Sequence, residues 1–136
     1  MAKTILIVED DPNLLKLTKD MLDSEGYTTI IAIDGRQGVE FAKTIKPDLI
    51  LMDIMMPIKD GYTACSEIKG DEDIKNTPVI MMSALDNRLN IKLANRLGAD
   101  GYLTKPVTRK DLLITIEPFL SDAYKERFGE NNAKPD

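Results

Sequence analysis

Along this chain, short unbroken apolar runs alternate with stretches in which apolar positions recur at helical spacing, and polar breaks separate the two. Ile5-Leu6-Ile7-Val8 is such a run, the sign of a strand buried on both faces. Thr28 to Ala32, Leu49 to Asp53, Val79 to Met82 and the short Gly101 to Thr104 read as four more strands. After the first run, Asp11 is placed to cap a helix and Pro12 suits its first turn, where a missing N–H costs nothing. Leu14, Leu15, Leu17, Thr18, Met21 and Leu22 give that helix its apolar stripe, and Gly26 ends it. Asp34-Gly35 leads into a second helix carrying Val39, Phe41, Ala42 and Ile45, stopped before Pro47. A short helix is expected from Tyr62 to Lys69, followed by a polar loop from Gly70 to Thr77. Leu89, Ile91, Leu93, Ala94 and Leu97 mark a fourth helix that ends at Gly98. Thr108 and Asp111 resemble a capping box at the start of a fifth, with Asp in place of the usual Glu. Pro118 lies inside that last pattern and is expected to kink or break it, and the polar tail from Gly129 to Asp136 is expected to fray.

The order is strand then helix, five times over. Such alternation predicts an α/β fold, a parallel sheet covered by helices on both faces. At 136 residues the chain is the size of one domain and needs no disulfide or metal to hold a core. We take 1–122 as that domain and 123–136 as a C-terminal helical extension with a polar tail, with no second domain attached.

Composition narrows the chemistry. Eighteen cations against twenty-three acids leave a net charge of −5, which argues against general affinity for nucleic acid or an anionic membrane. The chain has no His, so a Ser-His-Asp or Cys-His site, a histidine-held zinc and a phosphohistidine made on this chain are all excluded. The single Cys65 excludes an internal disulfide. No apolar run is long enough to span a bilayer, and the N-terminus lacks the apolar segment of a signal peptide, so a cytoplasmic protein is expected. Carboxylate, lysine and hydroxyl chemistry remain.

In an open parallel sheet, sites form at the carboxyl ends of the strands. Those ends carry Glu9-Asp10-Asp11 after the first strand, Asp53 closing the third, Ser83-Ala84 closing the fourth and Lys105-Pro106 after the fifth. Taken singly, each has a plain reading: Asp11 as a helix cap, Asp53 as a turn, Ser83 as a loop hydroxyl, Lys105 as a solvated charge. Gathered on one edge they make a different object. Carboxylates 4 Å apart repel by about 1 kcal/mol in water and about 4 kcal/mol at an effective dielectric near 20. Such a cluster binds a cation or raises a carboxylate pKa. Oxygen ligands with room for water favour Mg²⁺ over a caged Ca²⁺. A carboxylate beside that ion can attack phosphorus, with Lys105 and the Ser83 hydroxyl there to neutralise the phosphoryl oxygens and Ala84 leaving it space.

At these residues the sequence resembles the receiver domain of two-component response regulators, of the single-domain, chemotaxis-regulator-like kind. The pieces are Ile-Leu-Ile-Val-Glu-Asp-Asp-Pro (residues 5–12), Pro-Asp-Leu-Ile-Leu-Met-Asp (47–53), Met-Pro-Ile-Lys-Asp-Gly (56–61), Pro-Val-Ile-Met-Met-Ser-Ala (78–84) and Gly-Ala-Asp-Gly-Tyr-Leu-Thr-Lys-Pro (98–106). The resemblance runs from Lys3 to about Leu120 and implies a flavodoxin-like, doubly wound sheet of order 2-1-3-4-5. It implies Asp53 as phosphoacceptor, Asp10 as a direct Mg²⁺ ligand, Glu9 as a ligand mainly through water, and the backbone carbonyl of Met55 as a further ligand. It implies Ser83 as the switch hydroxyl, Lys105 as the phosphoryl partner, Tyr102 as the aromatic that moves with Ser83, and a cis Lys105-Pro106 bond. A phosphohistidine on a sensor kinase or phosphotransfer protein would be the donor, docking near Asn13, Leu14 and Pro106. A small acyl phosphate is a second source. The face made by the fourth helix, fifth strand and fifth helix would then change and be read by a downstream protein. Glu9 stands where some members have Asp, and Ser83 where Thr is commoner. Apolar Met55 and Leu85 beside the site are expected to organise an attacking water poorly and so to prolong the phosphoryl group.

On this reading the chain is a phosphoacceptor switch and not an enzyme, at most catalysing its own phosphorylation and dephosphorylation. Four rival readings differ from it. A flavodoxin-type electron carrier shares the fold, but Glu9-Asp10-Asp11 would repel a flavin phosphate. An aspartyl-phosphate phosphatase would carry a second acid where Met55 stands. A relay intermediate would hand its phosphoryl group on to a phosphotransfer protein. An unphosphorylated pseudo-receiver would lack one of the motif positions, and all are intact here.

Overall fold

The structure, a computed structural model, describes residues 2–84 and 88–121. Leu85 and the extension and tail expected beyond residue 121 lie outside the described residues. Five strands alternate with five helices: β1 Thr4–Val8, α1 Pro12–Ser24, β2 Thr28–Ala32, α2 Gly35–Ile45, β3 Leu49–Asp53, α3 Gly61–Lys69, β4 Val79–Ser83, α4 Arg88–Arg96, β5 Gly101–Thr104 and α5 Arg109–Leu120. The strands form one parallel sheet in the order β2-β1-β3-β4-β5, the flavodoxin-like winding expected. Among the described residues no helix is long and apolar enough to cross a membrane.

The unbroken apolar runs became strands because both of their faces are covered. In β1, Leu6 and Val8 pack with Ile50 and Met52 of β3 against α2, α3 and α4, through Val39, Ala42, Ile68 and Ala94. Ile5 and Ile7 point the other way, packing with Leu49, Leu51 and Ile80 against Leu22 of α1 and Leu112 and Ile116 of α5. The core is thus two layers divided by the sheet, and each fully buried Leu, Ile or Val contributes roughly 1.5–3 kcal/mol.

The helix starts are set by side chains. Asp11 accepts from the backbone N–H groups of Asn13 and Leu14, Asp34 from Gln37, Asp60 from Thr63, and Thr108 from Asp111. Each such cap is worth about 1 kcal/mol. α2 stops because Pro47 denies its predecessor the right-handed helical region: Lys46 adopts φ 53° and its N–H closes on Ala42. The connection from α3 to β4 is held more tightly than a polar loop suggests. Lys69 Nζ donates to the carbonyls of Lys75 and Thr77 and to Asp100 Oδ2, at 3.1, 2.8 and 2.8 Å.

Pro118 does not end α5, which runs through it to Leu120. The proline falls in the last turn, so the one hydrogen bond it removes is to the carbonyl of Ile114, an exposed residue whose carbonyl can turn to water.

Between β3 and α3, Ile58 adopts φ 69° while Lys59 N–H bonds to the carbonyl of Pro57 at 2.7 Å. This is the strained kind of γ-turn, and a β-branched side chain is ill suited to it. Ile58 is 76% exposed, so little burial is lost with its side chain. Ile58→Gly is expected to stabilise the fold by about 1 kcal/mol after the entropic cost of glycine, read as a raised urea midpoint with unchanged slope.

Candidate functional site

Parallel winding sends every strand's carboxyl end to the same edge. β1 and β3 are neighbours, so Glu9 and Asp10, just past the end of one, face Asp53 at the end of the other. β4 lies next, with Asp53 in register with Met82, and β5 beyond it, with Ser83 opposite Thr104. The turn into α5 is anchored by the Lys105 N–H bonding to the Ser83 carbonyl at 2.8 Å, and the Lys105-Pro106 bond is cis, as expected.

Carboxylate oxygens of Glu9, Asp10 and Asp53 all lie within 4.8 Å of one another. Glu9 and Asp53 are buried, at 3% and 4% exposed, whereas Asp10 is open to solvent. The Lys105 ammonium bridges the two buried acids, 2.7 Å from Glu9 Oε1 and 2.8 Å from Asp53 Oδ1. The other oxygen of Glu9 accepts from the Asp11 N–H at 3.2 Å. Around the cluster opens a cleft of about 430 Å³, lined also by Leu14, Met55, Ser83 and Ala84.

The electrostatics follow from burial and pairing. Burial raises the pKa of Glu9 above the ordinary glutamate value; the hydrogen bond from Lys105 opposes the rise and the charge of Asp53 adds to it. Burial works against the charge on Lys105 too, yet its hydrogen bonds to Asp53 and Glu9 outweigh that and hold its pKa above the ordinary lysine value. The ammonium is therefore fully charged at neutral pH. Three acids against one lysine leave a net negative pocket, and the donor set, all oxygen and partly open to water, suits a small hard divalent cation held by Glu9, Asp10 and Asp53.

Six of the seven residues singled out from sequence come together in this cleft: Glu9, Asp10, Asp53, Met55, Ser83 and Lys105. Tyr102 lies apart, half-buried against the layer on the α2, α3 and α4 side. Met55 is 68% exposed at the rim. A second, smaller hollow of about 50 Å³ runs from Leu14, Leu17 and Met21 of α1 to Pro106 and Val107. It adjoins the region near Asn13, Leu14 and Pro106 where donor docking is expected.

Two functional features were not read from sequence. One is the direct pairing of Glu9 with Lys105, separated by 96 residues. The other is Gly61, whose N–H bonds to the Ile54 carbonyl at 2.8 Å and where a Cβ would collide with the Asp53 carbonyl. The Asp60-Gly61 pair signals a turn into a helix, but nothing in it reveals contact with the strand that carries Asp53.

Comparison with known proteins agrees with this geometry. The family model of the response regulator receiver domain matches residues 5–117. The receiver domain of a signal transduction histidine kinase from Syntrophus aciditrophicus is 36% identical, with 88% of this chain and 90% of that one covered and a TM-score of 0.81. The receiver domain of a sensor histidine kinase from Pseudomonas aeruginosa PAO1 is 33% identical over 88% and 98% of the two chains, with a TM-score of 0.82, and is described with a magnesium ion coordinated in its active site cleft. A CheY-like response regulator receiver domain protein from Methanospirillum hungatei JF-1 is 31% identical over 93% and 99%, with a TM-score of 0.85.

Proposed function

Because this chain belongs to the response regulator receiver domain family, the phosphoacceptors of two-component signalling, we propose that it takes a phosphoryl group from a phosphohistidine onto Asp53 and thereby switches a surface read by another protein. What supports this most is the convergence of Glu9, Asp10, Asp53 and Lys105 in one cleft open to solvent.

In this reading the Asp53 carboxylate attacks the donor's phosphorus. The P–N bond breaks, the imidazole departs as the leaving group, and Asp53 becomes an acyl phosphate. Lys105, already beside Asp53, pairs with a phosphoryl oxygen, and the Ser83 hydroxyl donates to another. Glu9, Asp10 and the Met55 carbonyl, with Asp53, would hold Mg²⁺, which when bound supplies charge neutralisation on the phosphoryl oxygens. The magnesium of the Pseudomonas neighbour and the acidic cluster here support that assignment. Donor docking falls on the hollow between α1 and Pro106, where Leu17 is 54% exposed.

The output is a population shift. Ser83 drawn toward the phosphoryl group vacates room that Tyr102 occupies, and the surface of α4, β5 and α5 changes with it. Moving such an equilibrium from 1:99 to 99:1 takes about 5.5 kcal/mol of differential interaction, within reach of several charge-assisted hydrogen bonds. The protein acts in this account as a cytoplasmic switch rather than an enzyme. Relay to a phosphotransfer protein is the second reading, favoured by the likeness to receiver domains of histidine kinases.

The test is intact mass after incubation with Mg²⁺ and acetyl phosphate. The wild type should gain one phosphoryl group and Asp53→Asn none; uptake by Asp53→Asn would sink the proposal. The exposed thioether of Met55 gives an attacking water no hydrogen-bond partner of strength. Met55→Asn should therefore shorten the phosphoryl lifetime several-fold, and an unchanged decay rate would refute that role.

A further inference from the structure

Residues 55–59 join the end of β3 to the cap of α3, and they have little slack. One end is fixed by Ile54, fully buried, whose N–H bonds to the Met82 carbonyl at 3.1 Å and whose own carbonyl accepts from Gly61. The other end is Asp60, which caps α3. Between them Pro57 has a fixed φ, the Lys59 N–H closes on the Pro57 carbonyl, Met56 packs on the core, and the Lys59 ammonium pairs with Glu67. Met55, at the start of the segment, lines the cleft.

The far leg of this segment lies against α2. Gly35 is the first residue of that helix and is buried; a Cβ there would collide with the Lys59 carbonyl oxygen and come within 2.8 Å of the carbonyl carbon. Helical backbone suits any residue, so Gly35 is not demanded by its own conformation, unlike Gly26 and Gly98 at φ 89° and 97°. Its neighbour demands it. α2 has little freedom to back away, because Val39 and Ala42 are buried beneath it and Gly38 seats it on the stiff β-branched side chain of Val8, whose methyls lie 3.0 Å from where a Cβ would be. Pressure at position 35 therefore falls on the segment, and with both ends held it reaches Met55.

We propose that Gly35 is a positioning and specificity-determining residue for the metal site: the room it leaves for the Lys59 carbonyl sets the backbone at Met55, and that placement favours Mg²⁺ over Ca²⁺. The inference rests on the reading of the Met55 carbonyl as a ligand, and it names what holds that carbonyl in place. Mg²⁺ demands near-octahedral geometry at about 2.0–2.1 Å, whereas Ca²⁺ accepts oxygens at about 2.3–2.6 Å in looser arrangements. A ligand oxygen displaced by a fraction of an ångström therefore costs the smaller ion more. Asp53 precedes the fixed Ile54 and keeps its place. The two glycines thus divide their effects. Gly61 meets the backbone of the phosphoacceptor itself, and Gly35 meets only the far leg of the segment that begins with Met55.

The probe is urea denaturation of the full chain titrated with MgCl₂ or CaCl₂ at constant ionic strength. The gain in stability with each ion yields its dissociation constant without reference to activity. In Gly35→Ala the Mg²⁺ affinity should fall about tenfold and the Ca²⁺ affinity no more than about twofold. Acetyl phosphate kinetics should show the matching split. The Mg²⁺ concentration giving half the maximal rate rises, while the rate at saturating Mg²⁺ stays within about twofold of wild type. Gly38→Ala is the control: it presses on Val8, so it should cost stability and leave both ion affinities unchanged, which is also what a merely structural Gly35 would give. If Gly35→Ala fails to fold, the same substitution in the Ile58→Gly background, compared with Ile58→Gly alone, should still lower Mg²⁺ affinity about threefold. Unchanged Mg²⁺ affinity, equal losses for the two ions, or the same Mg²⁺ loss in Gly38→Ala overturns the inference. A wild type that Mg²⁺ does not stabilise overturns the metal reading and this inference together. A wild type that shows the ion selectivity and its loss in Gly35→Ala, yet takes no phosphoryl group, overturns the proposed function and leaves this inference standing.

Discussion

Lys105→Met is expected to destabilise the metal-free protein by about 3 kcal/mol at neutral pH, because it leaves two buried carboxylates facing each other without a counter-charge. Only 17% of the Lys105 side chain is exposed, and its ammonium is within hydrogen-bond distance of both Glu9 and Asp53. Methionine fills the volume of the lysine stem, so packing is kept and the loss is electrostatic. The pH dependence separates this from a packing defect. Glu9 already has its pKa raised above the reference value of 4.5, by burial first and by Asp53, with Lys105 holding the rise down. A carboxyl with a raised folded-state pKa binds its proton more tightly folded than unfolded, so its share of stability is full below the unfolded value and is lost as pH rises through the folded one. Without Lys105 that rise grows. The gap in melting temperature between variant and wild type should therefore narrow as pH falls from about 7 toward about 5. A gap independent of pH would assign the loss to packing. Added Mg²⁺ should stabilise both proteins, the variant more.

Gly61→Ala is expected to cost about 3 kcal/mol and to lower the phosphorylation rate at the same time. The added Cβ would overlap the Asp53 carbonyl, and it would also approach the Ile54 Cα to 2.7 Å. These are backbone atoms at the end of a strand buried on both faces, so no side chain can swing aside. Relief requires moving either the start of α3 or the end of β3, and the latter carries Asp53. Urea denaturation gives the first quantity and acetyl phosphate kinetics the second. Loss of stability with an unchanged rate would show that α3 yields and Asp53 keeps its place.

The architecture was legible because its signals are local. Ile5 to Val8 announces a doubly covered strand, Asp11-Pro12 a helix start, and strand–helix alternation a parallel sheet whose carboxyl ends share an edge. From those alone, residues as distant as Glu9 and Lys105 could be placed on one sheet edge, though not in direct contact. What stayed hidden depends on atoms brought near by folding. The Lys69 staple joins three segments through one ammonium, and the backbone contact at Gly61 depends on how α3 seats against β3. The twist at Ile58 runs against the residue's own preference, so no propensity could have announced it. At Pro118 the expected break did not occur for the opposite reason: in an exposed last turn the one hydrogen bond that proline removes is cheap to lose.

The order of the sheet also divides labour within the cleft. Glu9, Asp10 and Asp53 hang from β1 and β3, which have ladder partners on both sides, whereas Tyr102 lies on β5, a four-residue strand bonded to β4 alone. If Tyr102 reports the state of the cleft as proposed, the anvil is bolted to the middle of the fold and the indicator needle to its rim. On that proposal a message would travel outward by loosening one margin, while the place where it is written stays still.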